Sequence, residues 1–404
     1  MKAVGIVVEY NPFHNGHFYH ATTAKAQTES DLVIAVMSGN FLQRGEPALV
    51  DKWTRTSMAL ENGVDLVFEL PYASASSNAP SFAAGAIQLL DAAKCESYCF
   101  GSEDGSITPF METLHRISTY QEEYDDAIRS SVQKGVSYPQ ALNEAYSAIV
   151  QHADGDPRKF VDLSLPNNIL GFHYMESAAA LKSTMTPATL PRLGAGYHDD
   201  VAPDTKIASA TGIRKAFFTS QNTEHIRQYV PNRSFQELEQ WLDHRGNFGS
   251  WERFYPLLRF QILRDGPERL ASIADVKEGI ENLFYKAAKQ AESFQQFMQI
   301  VKSKRYTWTR IQRMLTHIYT GFTYEKRDVM QKPDHLRLLG MTALGQVYLK
   351  EKKEDVKLPV VSRLANFESA SAAFSASVSD LYALGIDPLN PLLGLDFRTP
   401  PIRL

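Results

Sequence analysis

Gly5-Ile6-Val7-Val8-Glu9-Tyr10-Asn11-Pro12-Phe13-His14-Asn15-Gly16-His17 runs an apolar strand straight into a loop that carries two histidines. Val7 and Val8 are β-branched and suit a buried strand, and Asn11-Pro12 breaks it. From Gly16 onward the spacing of Phe18, Ala21 and Ala24 predicts a helix. Both imidazoles therefore sit on the first helical turn at the carboxyl end of a first strand. Unpaired backbone N–H groups point outward there and attract anions. His14 and His17 are three apart, so both rings can face one side. Gly16 between them leaves room for a phosphate or ribose to approach the backbone. Two histidines near a strand end can also be ordinary loop residues. Their place on a strand–loop–helix that opens an α/β pattern favours a site for a nucleoside triphosphate.

The following sequence extends that pattern. Asp31 to Met37 predicts a second strand, followed by the polar loop Ser38 to Gly45. Lys52 to Asn62 predicts a helix. Asp65 to Leu70 predicts a third strand, stopped by Pro71. Pro80 to Ala93 is helical, and Tyr98-Cys99-Phe100 is a short fourth strand ended by Gly101. Strands separated by such helices imply right-handed crossovers and a parallel, Rossmann-like α/β sheet. Ligands gather at the carboxyl ends of such strands, where His14, His17, Gly39, Gln43, Gly101 and Glu103 all fall. Pro109 to Gln151 reads as a helical insertion. Leu165 to Gly171 is a turn leading into a helix, and Ala188 to Arg192 is a fifth strand with Arg192 at its exit. In Ile207 to Arg214, Ser209 or Thr211 caps a further helix, whose free N–H groups and Arg214 would make a second anion cradle.

After Ser220 the strand signals fade and helical spacing dominates. The expected organisation is a nucleotide-binding domain over 1–220 and a mostly α-helical domain over 221–404, with the proline-rich tail from Pro388 lying extended on the surface. A length of 404 residues fits two or three such cores. The net charge of −4 means that any nucleic-acid surface is a local patch. Such a patch is Lys302 to Arg313, where Lys302, Lys304, Arg305, Arg310 and Arg313 are interleaved with Tyr306 and Trp308. RNA backbone binding with base stacking uses this mixture, although a solvated basic helix face would look the same. Cys95 and Cys99 have no second pair and no histidine at zinc spacing, which favours core thiols and a reducing cytoplasm. No apolar run is long enough to span a bilayer, and the N-terminus has no basic flank or cleavage site.

Two imidazoles at a helix start, with an arginine-bearing cap downstream, form the halves of a triphosphate clamp. Attack at the α-phosphorus builds negative charge on the equatorial oxygens, which imidazole and backbone N–H groups and a guanidinium stabilise. A carboxylate attacking there gives an acyl-adenylate; a phosphate gives a dinucleotide. Glu9, Glu103 and Asp104 are candidate acids, bases or magnesium ligands near the strand ends.

His14-Asn15-Gly16-His17 with Ser209-Ala210-Thr211-Gly212-Ile213-Arg214 resembles the paired signatures of HIGH-type nucleotidyltransferases. The departure is Ala210, where many members carry a second hydroxyl. The opening string, Ser38-Gly39-Asn40-Phe41, Gln43-Arg44-Gly45, Phe100-Gly101-Ser102-Glu103 and Lys304-Arg305-Tyr306-Thr307 further resemble the bacterial tRNA(Met) cytidine acetate ligases, over nearly the whole chain. The resemblance implies an enzyme that uses ATP, with magnesium arriving on it, and free acetate. It would form acetyl-adenylate and acetylate the wobble cytidine of elongator tRNA(Met) to N4-acetylcytidine, with no membrane or protein partner. It also implies ATP contacts from Val7 through His20 (Phe18, Tyr19 and His20 included), Gly101, Asn167 rather than Asn168, and Arg192. His14, His17 and Arg214 would serve the chemistry, and Ser209 and Thr211 would support the phosphates. Two other readings stay open: a nucleotidyltransferase that makes a small nucleotide cofactor, and a non-catalytic RNA-binding protein on the same fold.

Overall fold

A computed structural model of the chain describes residues 1–136, 138–151, 159–192, 206–220, 222–303 and 305–404. Five parallel strands come from the first half: β1 (Ala3–Val8), β2 (Leu32–Ser38), β3 (Leu66–Leu70), β4 (Ser97–Ser102) and β5 (Thr186–Pro191). Helices connect them: α1 (Asn15–Gln27), α2 (Lys52–Leu60), α3 (Tyr72–Ala75), α4 (Ala79–Ala92), then α5 (Ile107–Thr119), α6 (Gln121–Gln133), α7 (Tyr138–Gln151) and α8 (Pro166–Ala180). The strand order is β5-β4-β1-β2-β3, so the chain reverses direction across the sheet between β1 and β4. A crevice at the carboxyl ends is the expected ligand position in such a sheet.

The strands are apolar on both faces because both faces are covered. Leu32, Ile34 and Val36 of β2 and Leu66, Phe68 and Leu70 of β3 pack with Phe82, Ile87 and Leu90 of α4. The alternating residues, Val33, Ala35, Met37 and Val67, pack on the other side with Ala21 and Ala24 of α1 and Met58 and Ala59 of α2.

Beyond β5 the chain continues through α9 (Ala210–Ser220), α10 (Asn232–Arg245), α11 (Trp251–Leu270), α12 (Ile280–Gln290), α13 (Phe294–Val301), α14 (Trp308–Thr320) and α15 (Tyr324–Val329). Phe254, Leu258, Phe284, Phe297, Ile311 and Leu315 of these helices belong to the same buried cluster as Val4, Ile6 and Val8 of β1, so the helical region shares its core with one face of the sheet.

Two expectations for the last third need correction. The strands do not end at Ser220. β6 (Leu336–Met341) joins the sheet antiparallel to β3, and β7 (Val360–Val361) and β8 (Ile402–Arg403) pair parallel with β6. Between them lie α16 (Ala343–Glu351), α17 (Ala370–Ile386) and α18 (Leu395–Arg398). Nor does the tail merely cross the surface: Asp396 of α18 is buried, and its carboxylate accepts from the Lys52 ammonium at 2.6 Å. Lys52, itself fully buried, also donates to both oxygens of Glu69 at 2.8 Å, and Arg337 of β6 donates to the Asp396 carbonyl at 3.0 Å. A lysine and two carboxylates removed from water hold together only as a set.

Candidate active site

At the end of β1 the backbone turns sharply. Tyr10 takes a left-handed φ of 53° and the Asn11–Pro12 bond is cis. Asn11 is buried and accepts from the Leu49 N–H at 2.6 Å, which anchors the turn. His14 caps α1: its Nδ1 accepts from the Gly16 N–H at 3.0 Å, while its own N–H donates to Nδ1 of His17 at 3.3 Å. Each histidine thus satisfies one of the helix's orphan donors. The two rings stack with centroids 3.7 Å apart, and the edge of Tyr10 and the ring of Phe13 back them. Gly16 is required by this arrangement, because a Cβ there would lie 2.9 Å from the His14 ring.

Burial holds these imidazoles neutral. The His14 pKa falls to about 3, first through desolvation and then through the Arg192 and Arg214 charges. Desolvation likewise leads the drop of His17 well below its ordinary value and of His20 to about 4. A neutral His14 whose Nδ1 accepts a hydrogen bond carries its proton on Nε2, so it donates from that atom. His20 Nε2 is buried with no hydrogen-bond partner among the described residues.

The cleft beside this pair is lined by Val7, His14, Gly16, His17, Tyr19 and His20 from the opening segment. The rest of the Val7-to-His20 stretch does not line it. Val8, Tyr10 and Phe13 point into the core, Asn11 binds Leu49, and Asn15 donates to the carbonyls of Lys206 and Gln228. The Asn15 bonds tie the loop to the segments on either side of α9. As a result Ile207, Ala208 and Ser209 face the same cleft as the two histidines, and the two signature segments lie together.

The opposite wall is Gly101 at the end of β4, Arg192 at the exit of β5, and Asn167 on α8. Arg192 donates to Asn167 Oδ1 at 2.7 Å. Asn168, one residue on, is buried and turned away: its Oδ1 accepts from the N–H groups of Glu103 and Asp104. Glu103 in turn caps α8, accepting from Asn167 Nδ2 and from the N–H groups of Asn167 and Asn168. Both its oxygens are therefore committed to a helix start, which removes it as an acid or base. Leu170 and Tyr174 also line the cleft, and sequence reading missed them. Their spacing from Asn167, at i+3 and i+7 on one helical face, was the available signal.

Ser209 caps α9 by accepting from the Gly212 N–H at 3.0 Å. Arg214 sits behind the histidine loop. It donates to the Asn11 carbonyl at 2.8 Å and to Glu46 at 3.1 Å, and reaches Thr211 Oγ1 at 3.5 Å. Its charge reaches His14, but its guanidinium braces the turn and the loop after β2.

The cationic segment is a loop followed by α14, which Thr307 caps. Arg305 pairs with Glu278 at 2.9 Å and Lys302 bonds the carbonyls of Ser303 and Tyr306, whereas Arg310 lies over the Tyr306 ring at 4.8 Å. Trp308 is 41% exposed rather than in the core. Arg313 is half-buried, and Lys304 lies outside the described residues. The charge of Arg313 is felt together with those of Arg310 and Arg44, the latter in the loop after β2. Cys95 and Cys99 are both buried free thiols. Among the described residues no helix is long and apolar enough to cross a membrane, and no cluster of three metal-ligating side chains occurs.

The family model described as HIGH Nucleotidyl Transferase matches residues 1–391. A tRNA(Met) cytidine acetate ligase of Lysinibacillus sphaericus is 53% identical, covering 100% of both chains. That of Bacillus subtilis is 44% identical over 100% of this chain and 97% of its own. The crystal structure of Thermotoga maritima TmcAL bound with alpha-thio ATP superposes with a TM-score of 0.90 at 32% identity, and its apo form with 0.92, each covering both chains fully. The chain belongs to the HIGH nucleotidyl transferase family and, within it, to the tRNA(Met) cytidine acetate ligases.

Proposed function

We propose that this chain is an ATP-dependent ligase that activates acetate as acetyl-adenylate and acetylates the wobble cytidine of elongator tRNA(Met), giving N4-acetylcytidine. The observation that carries this reading is the cleft itself. Two stacked, neutral imidazoles at the start of α1 share it with Asn167, Arg192 and the Ser209 segment, in a chain whose relatives bear that name.

The chemistry follows from the parts. Acetate is a poor acyl donor because oxide would have to leave; attachment to AMP supplies a stable leaving group. Acetate oxygen attacks the α-phosphorus of ATP and pyrophosphate departs. The charge that grows on the phosphoryl oxygens meets His14 Nε2–H, the positive end of the α1 dipole and the nearby Arg192 and Arg214 charges. His20 Nε2 offers a further polar contact to the nucleotide. Magnesium arriving with ATP would offset phosphate charge. With Glu103 committed to α8, the described residues of the cleft present no carboxylate pair for a protein cage. The cytosine amine, weakened by delocalisation into its ring, then needs this activated donor, and an anticodon base leaves its stack at low cost. Residues 1–220 carry the adenylating site, and the face around Arg305, Arg310 and Arg313 carries the RNA. The working compartment is the cytoplasm.

Incubation with ATP, labelled acetate and bulk tRNA tests this. Label in tRNA supports it. ATP turnover with no label in RNA points to a small-nucleotide product, and neither signal points to a non-catalytic RNA binder.

A further inference from the structure

Glu9 leaves β1 two residues after Val7, whose side chain lines the nucleotide cleft. One carboxylate oxygen, Oε1, is pinned by the Gln43 N–H at 2.7 Å. Oε2 has no hydrogen-bond partner among the described residues, and Glu9 is partly open to solvent. Its charge is felt at Tyr174, which also lines the cleft. On its other side the same loop leads outward. Gln43 is followed by Arg44, whose charge reaches Arg313 on α14, and by Gly45, which packs directly on the α14 backbone at Arg313. The carboxylate therefore stands between the nucleotide cleft and the cationic face proposed for RNA. Glu103, the other strand-end glutamate, is spent on capping α8.

We infer that Glu9 is the proton acceptor of the acetyl-transfer step. This rests on the ligase reading above. In that step the cytidine N4 lone pair forms a bond to the acyl carbon. The bond from that carbon to the phosphate oxygen breaks, and AMP leaves with its electron pair. The proton shed by N4 goes to Glu9 Oε2. A base is required here because acylation leaves a positively charged nitrogen until that proton departs, and a positioned carboxylate supplies it. The groups facing Glu9 are Arg44, Arg55, Glu46 and Tyr174, besides the Gln43 N–H. Burial outweighs the cations and raises the Glu9 pKa above the ordinary carboxylate range, which strengthens it as a base.

The test separates the two half-reactions in the full-length protein. Acetate-dependent exchange of labelled pyrophosphate into ATP reads adenylation; single-turnover transfer of labelled acetyl to tRNA reads the second step. Glu9→Gln keeps the oxygen that receives the Gln43 N–H, so the fold is retained. Its exchange should stay within about threefold of the unaltered protein while transfer falls about 10²–10⁴-fold. The acid limb of the transfer pH profile should disappear with it. Glu9→Asp should recover part of the rate. Unchanged transfer in Glu9→Gln, or a parallel fall of exchange and transfer, overturns the assignment to Glu9 alone. No acetate-dependent exchange in the unaltered protein overturns the ligase reading and this one together.

Discussion

Replacing Gly16 with alanine should separate activity from stability. The added Cβ would lie 2.9 Å from His14 Cε1 and 3.0 Å from Nδ1, inside any tolerated contact, so the ring must swing off its stack on His17. The bond from the Gly16 N–H to His14 Nδ1 is lost with it. Loss of that cap costs about 1 kcal/mol. Alanine in place of glycine in the first turn returns up to about 1 kcal/mol. Net stability should therefore change by less than about 1 kcal/mol, which urea unfolding measures. Transition-state stabilisation has no such compensation. A displaced preorganised donor costs about 10²–10³ in rate, or about 2.7–4 kcal/mol. Acetate-dependent pyrophosphate exchange should fall by that factor in a protein that remains folded. Exchange within about threefold of the unaltered chain would refute the role given to the His14 ring, and so would a loss of activity matched by several kcal/mol of lost stability.

Other outcomes follow from features away from that ring. Lys52→Met leaves the Glu69 and Asp396 carboxylates buried without their cation and should cost about 3–5 kcal/mol in urea unfolding; an unmoved midpoint would mean the cluster is not coupled to folding. Acid should weaken the fold through the cleft histidines. Their folded pKa values, about 3 for His14 and about 4 for His20, lie below the ordinary 6.5. The unfolded chain therefore binds protons that the folded one refuses. Their contribution is complete above pH 6.5 and is lost as pH falls, at up to about 1.4 kcal/mol per pH unit for each ring. His20→Gln should flatten urea midpoints measured between pH 7.5 and 4.5, and an unchanged slope would count against this account. Joint Arg305→Ala and Arg310→Ala substitution should weaken tRNA binding and make the salt dependence of log K shallower by about 1.4, leaving pyrophosphate exchange intact. An equal loss of exchange would place these residues in the fold or the nucleotide site instead.

The five parallel strands and the histidine loop were legible because apolar runs and a proline break leave few other placements for Gly5 to His17. β6 was not. Leu336-Arg337-Leu338-Leu339-Gly340-Met341 places a cation where a buried strand should be apolar, and the Val361 and Asp396 carbonyls and the Trp53 ring around it explain why it is tolerated. β7 and β8, two residues each, are too short to show any period. Lys52 and Arg55 are cations within the Lys52-to-Asn62 helix, yet both are fully buried. Arg55 gathers the carbonyls of Glu9, Ser38, Gly39 and Val50, an arrangement made by the ends of two strands rather than by anything local. Asn167 and Asn168 are the same residue type side by side, and only the helix phase separates the one facing Arg192 from the one holding the Glu103 loop.

The helices from α10 to α15 leave the sheet beside the histidine loop and rejoin it at β6, next to β3. A module tethered at one point swivels; a span fastened at both abutments does not. The surface proposed to face RNA would therefore keep a constant bearing on the nucleotide cleft, and accommodation would fall to the transfer RNA. On that proposal the anticodon loop would deform to meet a stationary berth, and discrimination among substrates would rest on how readily each RNA distorts.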